Sequence, residues 1–176
     1  KKNETITFSS KAGILKIRYS EGWIIMNFPA YDLVAAEIPQ DLCNYNVITP
    51  VEFYRTAHGW SFLLFRNEEE VLKLSPDFTA LKNSEYGDMI VTAPSSDSRY
   101  DFCVRCFAPA LGIDEDPVTG SAHCALVPFW NMKTGKKEFT SHQVSKRGGI
   151  LKVSLYGDRV EIAGEAQTIF RAELLI

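Results

Sequence analysis

Much of this chain falls into short runs rich in apolar, β-branched and aromatic residues, some alternating with polar ones at the period of a strand. Residues 4–28 hold three such runs, ETITFSS, GILKIRY and WIIMNFP, with Gly13 and the Glu21-Gly22 pair at the breaks. This predicts a meander. Residues 29–46, PAYDLVAAEIPQDLCNYN, carry two prolines and little alternation. They read as a connector with one short helix and as a domain boundary. VITPVEFYRT and GWSFLLF follow as strands rich in aromatic and β-branched residues. Residues 67–84, NEEEVLKLSPDFTALKNS, read as two short helices. Asn67 is the expected N-cap of the first, and Glu68, Glu69 and Glu70 sit where the helix dipole favours acids. Pro76 breaks the run, and Ser75 is the expected cap of the second part. GDMIVTAP, RYDFCVRCFAP, EFTSHQVS, GGILKVSLY and RVEIAGEAQTIFRAELLI are further strands. Gly157-Asp158 fits a two-residue hairpin turn.

One segment breaks the pattern. Between 121 and 134, Ala122, Cys124, Ala125, Leu126, Val127, Phe129 and Trp130 cover every face of a helix. A helix apolar all round must be enclosed by protein. With so many strands around it, it is expected inside a curved sheet, giving an α+β fold. Pro128 removes one helical hydrogen bond and predicts a kink.

Composition narrows the function classes. The chain has 176 residues, 45% hydrophobic and 23% charged, as in one ordinary globular domain or two small ones. Net charge is −3 with Lys and Arg scattered, which argues against a nucleic-acid partner. No run approaches the ~18 apolar residues of a membrane span, and no signal-peptide pattern occurs. A cytoplasmic location is expected. The four cysteines, Cys43, Cys103, Cys106 and Cys124, are too sparse for a disulfide scaffold. Cys103 and Cys106 form a C-x-x-C, but on a strand positions i and i+3 point to opposite faces, and no second ligand pair completes a zinc site. Buried free thiols, with no metal and no cofactor, are the expectation, and a zinc or thiol-redox protein is the least favoured reading. The first residue is Lys, with a strand pattern close behind, as in a chain that starts within a longer protein.

The candidate chemistry lies in GIDEDPVTGSAHCALVPFW, residues 112–130. Thr119, Gly120 and Ser121 open the apolar helix. Thr119 or Ser121 can cap it, and Gly120 lets a ligand approach the backbone. The free N–H groups form either a plain capped end or an anion site suited to a carboxylate. Asp114, Glu115 and Asp116 form either a solvated acidic turn or, through mutual repulsion and burial, a group that carries a proton near neutrality. Pro117 aims Asp116 back over the helix end. His123 is a candidate base, although buried helical histidines usually serve structure.

RCFAPALGIDEDPVTGSAHCALVPFW resembles the signature of the phenazine-biosynthesis PhzF-like family, cofactor-independent isomerases related in fold to diaminopimelate epimerase. HQVSKRGGILKVSL and ITFSSKAGILKI are also similar to that family. The resemblance implies two domains, each a curved mixed sheet wrapped around a central apolar helix, with the active site between them. It implies that Asp116 lines this cleft and that Gly120 and Ser121, with Thr119 beside them, bind the substrate carboxylate. The epimerase branch with two catalytic cysteines is disfavoured, because the corresponding loop here carries Asp116-Pro117.

The sequence also departs from the family. The N-x-S-E-T motif with its catalytic glutamate and the C-G-H-A-T motif do not occur in it. The resemblance therefore covers the C-terminal two-thirds of the family pattern. Residues 1–33 are expected to be the remnant of the first domain and 34–176 the complete second domain, with the last strand able to return to the first. The expected function is proton movement on a small carboxylic acid, with only half of the catalytic site in this chain, so that the chain alone is inactive. A non-catalytic binding or scaffold role on the same fold is the alternative. Strands 4–28 are expected to pair with an N-terminal segment of the same protein or to bury against a second copy.

Overall fold

The computed structural model describes residues 5–10 and 13–173. Of the predicted C-terminal strand run, only Arg159–Gly164 is strand and 165–173 is not, while 174–176 and Glu4 lie outside the described residues. Among the described residues twelve strands form one mixed sheet. β1 (Ile6–Ser10), β2 (Gly13–Ser20) and β3 (Trp23–Pro29) are the expected meander. Glu21 and Gly22, with φ of 51° and 90°, make the β2–β3 turn, whose left-handed backbone matches the strand twist. β4 (Leu33–Ala36), β5 (Glu52–Thr56), β6 (Ser61–Leu64), β7 (Met89–Pro94), β8 (Phe102–Ala108) and β9 (Ile113–Asp116) come next. β10 (Glu138–Gln143), β11 (Gly149–Tyr156) and β12 (Arg159–Gly164) close the chain. The strands run β1-β2-β3-β12-β11-β10-β8-β7-β6-β5-β4, with β9 added on β8. β6–β7 and β8–β10 pair in parallel, and the other pairs are antiparallel. β12 bridges the halves, pairing with β11 on one side and β3 on the other.

The apolar helix, α3 (His123–Thr134), packs into the concave face of this sheet. Phe62, Ile90, Phe102, Val104, Cys106, Phe139, Leu151, Val153, Val160 and Ile162 close around it. Strand alternation sends their neighbours Leu63, Met89, Val91, Cys103 and Phe107 to the opposite face. There α1 (Glu68–Lys73), α2 (Phe78–Lys82) and a 3-10 turn at Gln40–Tyr45 cover them. The central strands are thus buried on both sides.

Three local expectations need correction. Residues 29–46 contain the strand β4 as well as a 3-10 turn, because Leu33–Ala36 pairs with β5 at the sheet edge without needing strict alternation. The second short helix is capped by Asp77, whose carboxylate accepts from the Ala80 N–H at 3.0 Å, and not by Ser75. The acidic segment 113–116 is a strand and not a turn, carried by pairing with β8.

Candidate active site

The site is built where β8, β9 and β10 meet the start of α3. A 3-10 turn at Pro109–Leu111, ended by Gly112 with φ 86°, folds the chain back from β8 into β9. Cys106 then pairs with Asp116. This pairing sorts the acid triplet. Asp114 is exposed. Glu115 accepts from Arg105 Nε at 2.7 Å and Nη2 at 3.1 Å. Arg105 Nη1 also donates to the Val71 and Leu74 carbonyls at 3.1 and 2.8 Å. Such a forked ion pair is geometrically specific, and it ties β9 to the outer helix layer. The next residue, Asp116, turns the other way, toward α3. It is half-buried, and its Oδ2 accepts from the Thr119 hydroxyl at 2.8 Å.

The loop from Asp116 to Thr119 is clamped from β10 and from the loop that follows it. Gln143 accepts from the Thr119 N–H at 2.7 Å and donates to the Asp116 carbonyl at 2.7 Å. It also donates to the Thr119 hydroxyl at 3.1 Å. The Ser145 hydroxyl donates to the Pro117 carbonyl at 2.7 Å. Val118 presses so closely on Gly149 that a Cβ there would collide with it. Glycine at 149 is what lets the loop lie flat on β11.

His123 is fully buried among these groups. Its Nδ1 lies 2.8 Å from the Thr119 carbonyl and its Nε2 2.8 Å from the Ser141 hydroxyl. A carbonyl only accepts, so Nδ1 carries the proton and Nε2 accepts from Ser141. Burial pushes His123 down to about 4, so the ring is neutral at pH 7. Both ring nitrogens are engaged within the protein, and the ring holds the Thr119 backbone in place.

The helix start departs from expectation. Ala122 precedes α3 and no side chain caps it. The Thr119 hydroxyl is committed to Asp116, and Ser121 is exposed. A tight first turn takes the place of a cap: His123, Cys124 and Ala125 donate to the carbonyls of Gly120, Ser121 and Ala122 at 3.0–3.1 Å. Among the described residues no acceptor meets the N–H groups of Gly120, Ser121 and Ala122. Space over Gly120 is open, since a Cβ there would meet nothing within 4 Å. Unpaired amides at the positive end of a helix, under open space, suit an anion.

Cys106 lies beside the Thr119 hydroxyl, but burial pushes its thiol up to about 12. Burial does the same to Cys103 and Cys124, each also pushed up to about 12. Protonated buried thiols are poor nucleophiles. Cys103 and Cys106 face opposite cores. Among the described residues no group of three His, Cys, Asp or Glu could hold a metal ion.

Sequence reasoning brought out Asp116, Thr119, Gly120, Ser121 and His123, and the fold gathers all five at one end of α3. It missed Gln143, Ser141, Ser145 and Arg105. One signal existed for two of these. The inward positions of β10 read Phe139, Ser141, Gln143, and polar residues on the buried face of a strand need partners.

A scan of family models matches residues 1–172 to the phenazine biosynthesis-like proteins. The chain belongs to this family. It is 42% identical over 175 residues to a protein of Halalkalibacterium halodurans named an uncharacterized isomerase, covering 98% of this chain and 65% of the relative. A crystal structure of a PhzF-family phenazine biosynthesis protein from Enterococcus faecalis superposes with a TM-score of 0.88 at 33% identity. That match covers 99% of this chain and 66% of the other. A predicted epimerase of Pseudomonas aeruginosa, at 19% identity and a TM-score of 0.66, shares the fold over 98% of this chain and 67% of its own. The fold is thus the PhzF or epimerase-like one, a mixed sheet with few helices, and relatives carry isomerase names. The chain spans 65% of the length of that first curated relative. Among the described residues no helix is long and apolar enough to cross a membrane.

Proposed function

We propose that this chain carries half of the site of a PhzF-type, cofactor-independent isomerase that moves a proton within a small carboxylic acid. One observation carries the reading. A half-buried carboxylate, Asp116, stands beside a helix start whose Gly120, Ser121 and Ala122 amides are unpaired under open space. The amides would bind the substrate carboxylate, with the Ser121 hydroxyl at the rim. Asp116 would then exchange a proton with a neighbouring carbon. Thr119 and His123 hold these groups in place.

A shift of a proton from one carbon to another also uses a second acid or base, or a return by the same one. In this reading the second group is a glutamate of the first domain, of which residues 1–33 are the part present here. The apolar face of β1–β3, with Ile6, Phe8, Leu15, Ile17 and Met26 in register, would pack against the rest of that domain. Residues 34–176 would be the second domain.

The test compares the 176-residue chain with a version that adds the family's N-terminal part. Both are incubated in D2O with a dihydro-hydroxyanthranilate-type substrate. The longer protein should isomerise it with deuterium uptake. Asp116→Asn should lower that rate by about 100-fold or more. Turnover by the short chain that disappears in Asp116→Asn would overturn the half-site. An unaffected Asp116→Asn rate in the longer protein would remove Asp116 from the chemistry.

A further inference from the structure

Gln143 ends β10 with its side chain fully buried. Two of its three partners can act in one direction only. The Thr119 N–H can only donate, so the atom 2.7 Å from it is the amide oxygen. The Asp116 carbonyl can only accept, so the atom 2.7 Å from it is the amide nitrogen. These two bonds fix the orientation of the amide. They direct its second N–H at the Thr119 hydroxyl, 3.1 Å away. A hydroxyl has one proton and two lone pairs. With Gln143 donating into it, the Thr119 proton goes to Asp116 Oδ2 at 2.8 Å. Among the described residues no hydrogen bond reaches Asp116 Oδ1. The two oxygens of one carboxylate are therefore unlike: one is a committed acceptor and the other is open.

We propose that Gln143 is a positioning residue that turns the Thr119 hydroxyl onto Asp116, so that Asp116 exchanges protons through Oδ1 alone. This rests on the isomerase reading for its use of substrate, but the polarity of the relay does not. A proton leaving a substrate carbon would add to Oδ1 while its bonding pair stays on the substrate. Its later return from Oδ1, to substrate or to solvent, would restore the carboxylate, while the glutamate of the first domain serves the second carbon. The Ser141–His123 pair does for the Thr119 carbonyl what Gln143 does for its hydroxyl, fixing both ends of the residue.

The test is NMR of the 176-residue chain without substrate, reading the side-chain carboxyl 13C signal of Asp116 at pH 7. Gln143→Glu replaces a donor by an acceptor and draws the Thr119 proton away from Asp116. Thr119→Val removes the hydroxyl, and Thr119→Ser keeps it. The expected result is one Asp116 signal shared by wild type and Thr119→Ser. A displaced signal should be common to Gln143→Glu and Thr119→Val. A folded Gln143→Glu protein with the wild-type Asp116 signal would overturn the proposal. Where Gln143→Glu does not fold, the wild type decides. Both Gln143 side-chain N–H protons should exchange slowly with solvent, and free exchange of either would overturn it. The D2O assay of Asp116→Asn in the longer protein reports on the isomerase reading separately, since the carboxyl signal is read with no substrate present.

Discussion

Two of the antiparallel strand pairs are built from the same backbone bonds and treated very differently by the rest of the fold. β7 and β8 pair over six positions, and β1 and β2 over five. In β7–β8 nearly every side chain is buried, because α3 covers one face and the α1–α2 layer the other. In β1 every residue is exposed, with Ile6 at 56% and Phe8 at 48%. Forming a hydrogen-bond ladder exchanges water partners for protein partners, so its net contribution is modest. Cover on the faces is what stabilises a strand. The candidate site follows the same division. Asp116 hangs on β8 through β9, and its clamp Gln143 ends β10, so both are held by the twice-covered part of the sheet.

The largest effect should come from breaking the covered region. Phe102 is fully buried, stacked on Trp130 with centroids 5.4 Å apart and planes at 8°, and meets Phe139 edge-on at 5.9 Å. Phe102→Ala should cost about 3–5 kcal/mol in urea unfolding, since the surrounding rings cannot collapse into the gap. A loss below about 1 kcal/mol would show that the α3 core is loosely packed and would erase the contrast with β1.

Next comes acid, which should also act on the covered region. His123 is depressed from 6.5 to about 4 because burial penalises its charged form. Between those values the unfolded chain binds a proton that the folded chain does not. Stability therefore rises with pH through this window and falls on acidification from pH 7 toward 4. The loss from this group is on the order of 3 kcal/mol. His123→Gln should be less stable at pH 7, yet lose less between pH 7 and 4.5 when unfolding is followed by circular dichroism. Equal losses in both proteins would mean that the imidazole is not what titrates.

Much of the covered region was legible in the sequence. The all-round apolar run from Ala122 to Trp130 demanded enclosure, and runs of apolar, aromatic and β-branched residues between turn signals located most of the strands that supply it. The opposite facing of Cys103 and Cys106 followed from strand period alone. What escaped was set by partners distant in sequence. β9 is a strand because β8 offers it an edge, and nothing local in Ile113–Asp116 says so. Which acid of the triplet stays available depended on Arg105, ten residues upstream, claiming Glu115. The missing helix cap has the same origin: Thr119 is a good capping residue whose hydroxyl Asp116 takes first. Gln143, 24 residues from Thr119, was hidden because a lone glutamine near a strand end usually faces solvent.

The smallest effect belongs to the uncovered hairpin. Phe8 pairs across from Leu15, and its neighbour Ile6 lies in line with Ile17, Met26 and Ile162, so the apolar face runs continuously out from the α3 core. An exposed side chain has little burial to lose, and Phe8→Ser should change unfolding stability by no more than about 0.5 kcal/mol. Its effect should appear in association instead. An apolar face of this extent favours contact with another surface, and sedimentation of the 176-residue chain should show less self-association in Phe8→Ser than in wild type. A stability loss above about 1 kcal/mol in dilute monomeric protein would mean that Phe8 is covered within the chain. The two strand pairs would then differ in degree and not in kind.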